Sequence, residues 1–194
     1  MVAAITGVVL AGGLGRRMGG ADKGLKILRG KPMVEWVVER FGPQVDELLI
    51  NANQNIDIYS ALGHRVIPDA VGGYAGPLAG LHRGLSEARH DLVATVPCDS
   101  PFLPLDLVAR LLAHLERNDA ELAVARTGHQ PHPVFCLCRK SVLDNLASFL
   151  ESGGRKIDAW YAALRVVEVP FDDNPDAFSN INTEVELAAA DRAR

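Results

Sequence analysis

The chain has 194 residues, 48% of them hydrophobic, and carries 20 Lys and Arg against 24 Asp and Glu for a net charge of −4. That length can bury one good core, and no Pro/Ser-rich linker, repeat or low-complexity tract divides it, so residues 1–194 read as a single domain. The acidic balance speaks against broad binding to nucleic acid or to an anionic membrane, no run approaches the roughly 18 apolar residues of a membrane span, and the apolar N-terminus lacks a basic flank and a cleavage site. A soluble, cytoplasmic protein is expected.

The first apolar run, Ile5-Thr6-Gly7-Val8-Val9-Leu10, reads as a buried strand over Gly7 to Leu10 that passes into Ala11-Gly12-Gly13-Leu14-Gly15-Arg16-Arg17-Met18-Gly19-Gly20-Ala21-Asp22-Lys23. Gly12, Gly13 and Gly15 permit positive φ and a close approach of ligand to backbone, while Arg17 and Lys23 supply the charge that a triphosphate needs. Two other glycine loops are excluded by spacing. A P-loop needs Gly-Lys-Ser/Thr, but Lys23 is followed by Gly24; a G-x-G-x-x-G fingerprint fails because Gly13-x-Gly15 meets Met18 where the third glycine belongs.

Six further strands are expected at Glu47 to Asn51, Arg65 to Pro68, Leu92 to Pro97, Leu122 to Ala125, Val134 to Leu137 and Arg165 to Val169, several too continuously apolar to keep a wet face. Helices lie between them. Val34, Val37, Val38 and Phe41 repeat at i, i+3, i+4, i+7, as do Val108, Leu111, Leu112 and Leu115; Pro77 suits a first helical position, and Thr183-x-x-Glu186 is a capping box opening the last helix. The fold class is therefore α/β: a doubly wound, mainly parallel sheet with helices on both faces, binding its ligand at the carboxyl ends of the strands.

Those strand ends carry the polar residues. The second ends in Asn51-Ala52-Asn53, the third in Pro68-Asp69, and the fourth in Pro97-Cys98-Asp99-Ser100-Pro101. An acidic residue directly after an apolar strand, between two turn-fixing prolines, sits at the ligand edge and wants a cation; Asp99 facing the Arg17/Lys23 loop would hold magnesium on a triphosphate. Cys98, Cys136 and Cys138 lie in apolar runs and read as reduced packing residues. His82 and His90 read as surface or core residues, and His129 and His132 as exposed loop residues. Gly153-Gly154-Arg155-Lys156 leads two cations into a helix, which reads equally as an anion site or as a solvated helix start. Asn180-Ile181-Asn182 places two amides on one face of an extended segment.

Leu10 to Lys23, LAGGxGxRMGxxDK, resembles the signature loop of the molybdenum cofactor guanylyltransferases in the nucleotidyltransferase superfamily. Sugar-nucleotide enzymes usually have Pro where this chain has Asp22, and cytidylyltransferases Leu-Ala-Ala-Gly where it has Leu10-Ala11-Gly12-Gly13. The resemblance covers nearly the whole chain. It implies a Rossmann-like nucleotidyltransferase fold, GTP and molybdopterin as substrates, magnesium as cofactor, and partners among molybdenum cofactor biosynthesis proteins and molybdoenzyme chaperones. By position, it assigns GTP to Leu10, Ala11, Gly12, Gly13, Gly15, Lys23, Asn51, Asp69, Gly80 and Asp99, with Gly80 in the Gly-Pro-Leu-Ala-Gly stretch near the ribose. Catalysis falls to Arg17, Lys23 and Asp99, and the acceptor to Arg155, Lys156, Asn180 and Asn182. Guanine presents two adjacent donors, N1–H and the 2-amino group, which the Asp69 carboxylate can accept. Gly12, lacking Cβ, would leave room for the purine. The alternatives are a cytidylyl- or sugar-nucleotide transferase of the same fold, and a nucleotide-binding chaperone that hands on cofactor without turnover.

Overall fold

The computed structural model describes residues 3–13, 22–70 and 76–192. β1 (Ile5–Leu10) is the third strand of a seven-stranded sheet ordered β5-β4-β1-β6-β8-β7-β9, with β4 at Glu47–Asn51, β5 at Arg65–Ile67, β6 at Leu92–Pro97, β7 at Leu122–Thr127, β8 at Gln130–Arg139 and β9 at Val166–Pro170. All seven expected strands are present. β1 pairs in parallel with β4 and β6, β4 with β5 and β7 with β9; β8 alone runs against its neighbours β6 and β7. Six of the seven strands thus end at one edge of the sheet.

Alternation along the strands feeds two apolar layers. Ile5 and Val9 of β1, with Leu92, Ala94 and Val96 of β6, face α1 (Met33–Phe41) and α4 (Leu107–Arg117); Val8 and Val93 face α3 (Pro77–Glu87), α5 (Leu143–Glu151) and α6 (Ile157–Tyr161). β1 is gripped closely from both sides. A Cβ on Gly7 would come within 2.8 Å of the Phe41 ring, and one on Gly84 of α3 within 2.7 Å of Val8, so glycine at both positions lets helices approach the strand whose end carries the loop. Fully buried side chains in these layers each contribute about 1.5–3 kcal/mol over exposure.

A short hairpin, β2 (Ile27–Leu28) and β3 (Lys31–Pro32), was not legible in the sequence. Its two turn residues, Arg29 at φ 48° and Gly30 at φ 84°, both take positive φ, which a two-residue turn between twisted strands requires. The last helix, α7 (Glu184–Arg192), docks on this hairpin through the Arg29 N–H to Asp191 Oδ1, 2.7 Å. Its capping box forms as expected: Glu186 N–H donates to Thr183 Oγ1 at 3.1 Å and Thr183 N–H to Glu186 Oε2 at 3.0 Å. Pro77 opens α3 behind Gly76, whose φ is 63°. Among the described residues no helix is long and apolar enough to cross a membrane.

Candidate active site

The β1 and β4 ends meet first. Ala11 N–H donates to Asn51 O at 2.7 Å, carrying the two strands one step past the sheet and placing Gly12 over three side chains. Asp69, after β5, accepts Asn51 Nδ2 on Oδ1 and Asn53 Nδ2 on Oδ2, each at 2.8 Å, and its N–H returns to Asn53 Oδ1 at 2.9 Å. Each carboxylate oxygen is oriented by one amide and keeps a further lone pair for a ligand. The glycines fit this cluster. A Cβ on Gly12 would lie 2.9 Å from Asn53 Nδ2 and 3.0 Å from Asn51 Oδ1; one on Gly80 would collide with Asn51 Oδ1 and lie 2.8 Å from Leu10 Cδ2.

Two expectations about the loop change accordingly. Gly12 and Gly13 both avoid positive φ, and the space that glycine leaves at 12 is taken by the amides of Asn51 and Asn53, so bareness rather than backbone freedom is what the position requires. Among the described residues nothing lies within 4 Å of where a Cβ on Gly13 would be. Gly15 and Arg17 lie outside the described residues.

The second cluster forms at the end of β6. Cys98 N–H donates to Leu10 O at 3.1 Å, and Asp99 follows with 7% of its surface exposed. Lys23 Nζ stands 3.4 Å from Asp99 Oδ2 and 2.6 Å from Asn182 Oδ1. Burial pushes the Asp99 pKa up, while the Lys23 ammonium pulls it back. A carboxylate penalised in this way for its charge gains from any further cation brought to it. Asn180 and Asn182 close the cluster from the C-terminal segment: Ile181 N–H donates to Asp99 O at 2.9 Å, Ser100 Oγ donates to Asn180 Oδ1 at 2.8 Å, and Ile181 turns the other way to bury against Leu28 and Met33. Among the described residues no group of three or more His, Cys, Asp or Glu converges to cage a metal. Asp99 with the neighbouring amide oxygens nevertheless suits an oxygen-preferring cation that draws its remaining ligands from substrate phosphate and water.

Beyond Asp99 the edge changes character. β8 pairs with β6 only from Arg139 to Cys136, and between Val124 and Ala125 of β7 its register jumps from Cys136 to His132. Pro131 and Pro133 have no N–H to give to a ladder, so β8 separates here from β6. The gap is a cavity of about 160 Å³ lined by Pro97, Gln130 to Phe135 and Asn180. His132 is a correction: it is a half-buried strand residue, stacked on Phe178 with centroids 4.8 Å apart and 2.7 Å from Thr127 Oγ1, and burial lowers its pKa. His129 does sit in an exposed turn. Cys98, Cys136 and Cys138 are all free and buried.

Four residues assigned to the acceptor fall in two places. Asn180 and Asn182 join Lys23 and Asp99, whereas Arg155 and Lys156 lie between α5 and α6, in the layer of helices that also holds α3. Arg155 turns its guanidinium back onto the end of α5, donating to Leu150 O at 2.9 Å and Gly154 O at 2.7 Å; Lys156 is exposed.

The mainly parallel sheet with its polar strand ends belongs to a nucleotidyltransferase, since residues 7–166 match the family model of the MobA-like NTP transferase domain. More narrowly, the chain belongs to the molybdenum cofactor guanylyltransferase family. It is 51% identical over 179 residues to the molybdenum cofactor guanylyltransferase of Shewanella sp. (strain ANA-3), covering 92% of this chain and 91% of that one. It is also 51% identical over 188 residues to the one from Cupriavidus metallidurans, covering 94% and 92%. The solved structure of molybdopterin-guanine dinucleotide biosynthesis protein A from Archaeoglobus fulgidus is similar at a TM-score of 0.80 and 27% identity, with 96% of each chain covered.

Proposed function

We propose that this protein transfers GMP from GTP to the terminal phosphate of molybdopterin, with or without molybdenum, and releases pyrophosphate. The observation that carries the reading is the pair of clusters at the strand ends, Asn51/Asn53/Asp69 beside Gly12 and Lys23/Asp99/Asn182 around Lys23. The first suits guanine, whose N1–H and 2-amino group match the two oriented oxygens of Asp69; the second suits a triphosphate with its cation.

An oxygen of the acceptor phosphate attacks the α-phosphorus of GTP, the bond from that phosphorus to the bridging oxygen breaks, and the electron pair leaves with pyrophosphate. No general base is needed, because a phosphate monoester is already an anion at neutral pH. Asp99 would hold magnesium, which when bound would polarise the phosphoryl group. Lys23, fixed by Asn182, neutralises charge on the phosphates, as we propose for Arg17 as well; Asp69 sets the base, and Leu10 to Gly13 and Gly80 shape the floor beneath the nucleoside. We place the acceptor at the proline-lined cavity beyond Asp99, whose lining includes Asn180. Arg155 is engaged with the end of α5, which leaves Lys156 as the cation of that pair for an acceptor anion. The three free thiols suit a reducing cytoplasm.

Mass spectrometry of the product formed from GTP, magnesium and molybdopterin tests the reaction, with CTP and UTP in parallel. A guanylylated pterin is the expected product. Equal use of CTP, or nucleotide binding without turnover, would overturn it in favour of a cytidylyltransferase or a cofactor chaperone.

A further inference from the structure

Lys23 reaches Asp99 from a loop on a long, rotatable side chain, so its usefulness depends on what fixes the backbone that carries it. Its predecessor Asp22 is that anchor. Asp22 Oδ1 accepts the Tyr59 hydroxyl at 2.6 Å and the Gly24 N–H at 3.2 Å, and Oδ2 accepts Asn55 Nδ2 at 3.0 Å. The carboxylate thereby caps the single turn Lys23–Leu25. Tyr59 lies on α2 (Ile56–Ser60), a helix of five residues, and is fully buried. Packing is tight around it: a Cβ on Gly24 would stand 2.6 Å from the Tyr59 oxygen and 3.2 Å from Cys98 Sγ. Burial raises the Tyr59 pKa, so the phenol remains a donor at working pH.

The end of β4 and the connection from it to β5 also carry Asn51 and Asn53, which orient Asp69. We propose that Tyr59 and Asn55 are positioning residues for Lys23, acting through the Asp22 carboxylate, so that one segment after β4 sets both the base-side amides and the phosphate-side cation. This rests on Lys23 facing the triphosphate. Neither Tyr59 nor Asn55 need touch substrate, and their hydrogen bonds to Asp22 span 37 and 33 residues of sequence, beyond the reach of any local motif.

A double-mutant cycle between Tyr59→Phe and Lys23→Ala tests the proposal, read as kcat and KM for GTP, with affinity for guanosine and melting temperature measured alongside. Tyr59→Phe keeps the ring and removes only the donor. The expected result is a loss of about tenfold in kcat with guanosine affinity unchanged, and no further loss when the substitution is added to Lys23→Ala, because two steps in one chain of action do not multiply. Asn55→Ala, on the exposed side of the clamp, should show the same pattern with a smaller loss. Tyr161→Phe is the control, since Tyr161 is half-buried and its buried hydroxyl has no partner among the described residues. Losses that multiply in the double variant, an unchanged kcat in Tyr59→Phe, or an equal loss in Tyr161→Phe would each overturn the clamp. Normal turnover in Lys23→Ala alone would instead overturn the placement of Lys23 against phosphate, and the clamp with it.

Discussion

On the β5-β4-β1-β6 side of the sheet the edge is organised by polar side chains that hold other polar side chains, while on the β8-β7-β9 side it is organised by rings and prolines. Asp69 is oriented by two amides, Asp22 by a phenol, an amide and a backbone N–H, and Asp99 by a lysine that is itself held by Asn182. His132, Phe135, Phe171 and Phe178 instead pack on one another with centroids 4.8 to 6.3 Å apart, and the nearby cavity opens because two prolines interrupt a ladder. Charge must be placed to within a few tenths of an ångström to act on phosphorus, which hydrogen bonds can enforce; a flat, mostly neutral ring needs a shaped gap, which packing supplies. Substitutions on the first side should therefore change rate and base choice, and those on the second should change acceptor affinity.

The largest effect should come from Asp99→Asn. Removing the negative charge deprives the site of its cation and should slow turnover by roughly three orders of magnitude, about 4 kcal/mol at 1.4 kcal/mol per factor of ten, with an unchanged circular dichroism spectrum. Near-normal magnesium-dependent turnover in that variant would break the division between the two sides.

Asp69→Asn comes next. It replaces one acceptor oxygen by a donor that confronts the amide of Asn51 or Asn53, and loss of a hydrogen bond to a charged group is worth about 1.5–3 kcal/mol. KM for GTP should rise by roughly ten- to a hundredfold on that scale, and the preference for GTP over ITP should narrow, because inosine keeps N1–H and lacks the 2-amino group. Competitive turnover of the two triphosphates measures this. KM for molybdopterin should stay as it was.

Gly80→Ala probes the same amides from beneath. Its Cβ would press on Asn51 Oδ1 and Leu10, so overpacking should lower stability by about 1–3 kcal/mol in urea titration and weaken GTP by displacing Asn51. Gly13→Ala, with no described residue within 4 Å of its Cβ, should leave stability unchanged.

The smallest effect is expected at His132. Its imidazole is held neutral by burial, with a pKa lowered from 6.5, so the unfolded chain takes up a proton that the folded protein refuses. The stability this group contributes is present above pH 6.5 and is lost as pH falls through the lowered value. His132→Gln should flatten stability against pH in that window and raise KM for molybdopterin by a few-fold, leaving KM for GTP alone. A selective rise in KM for GTP would put His132 on the nucleotide side and blur the contrast.

Sequence by itself determined the strands, because runs such as Leu92 to Pro97 are too apolar for any place but a covered sheet, and it determined the ligand edge, because Asp69 and Asp99 follow such runs directly. It also determined that Asn180 and Asn182 share a face and that Thr183 and Glu186 cap a helix, since both are matters of local period. Only the tertiary structure decided what these residues do to one another. That Gly12 and Gly80 make room for Asn51, that Tyr59 reaches Asp22, that Asn182 meets Lys23 across 159 residues, and that His132 leaves the surface for a stack on Phe178 all depend on strand order, which no local pattern encodes. Periodicity records which way a side chain points relative to its own backbone; its partners are set by which strand the sheet places alongside.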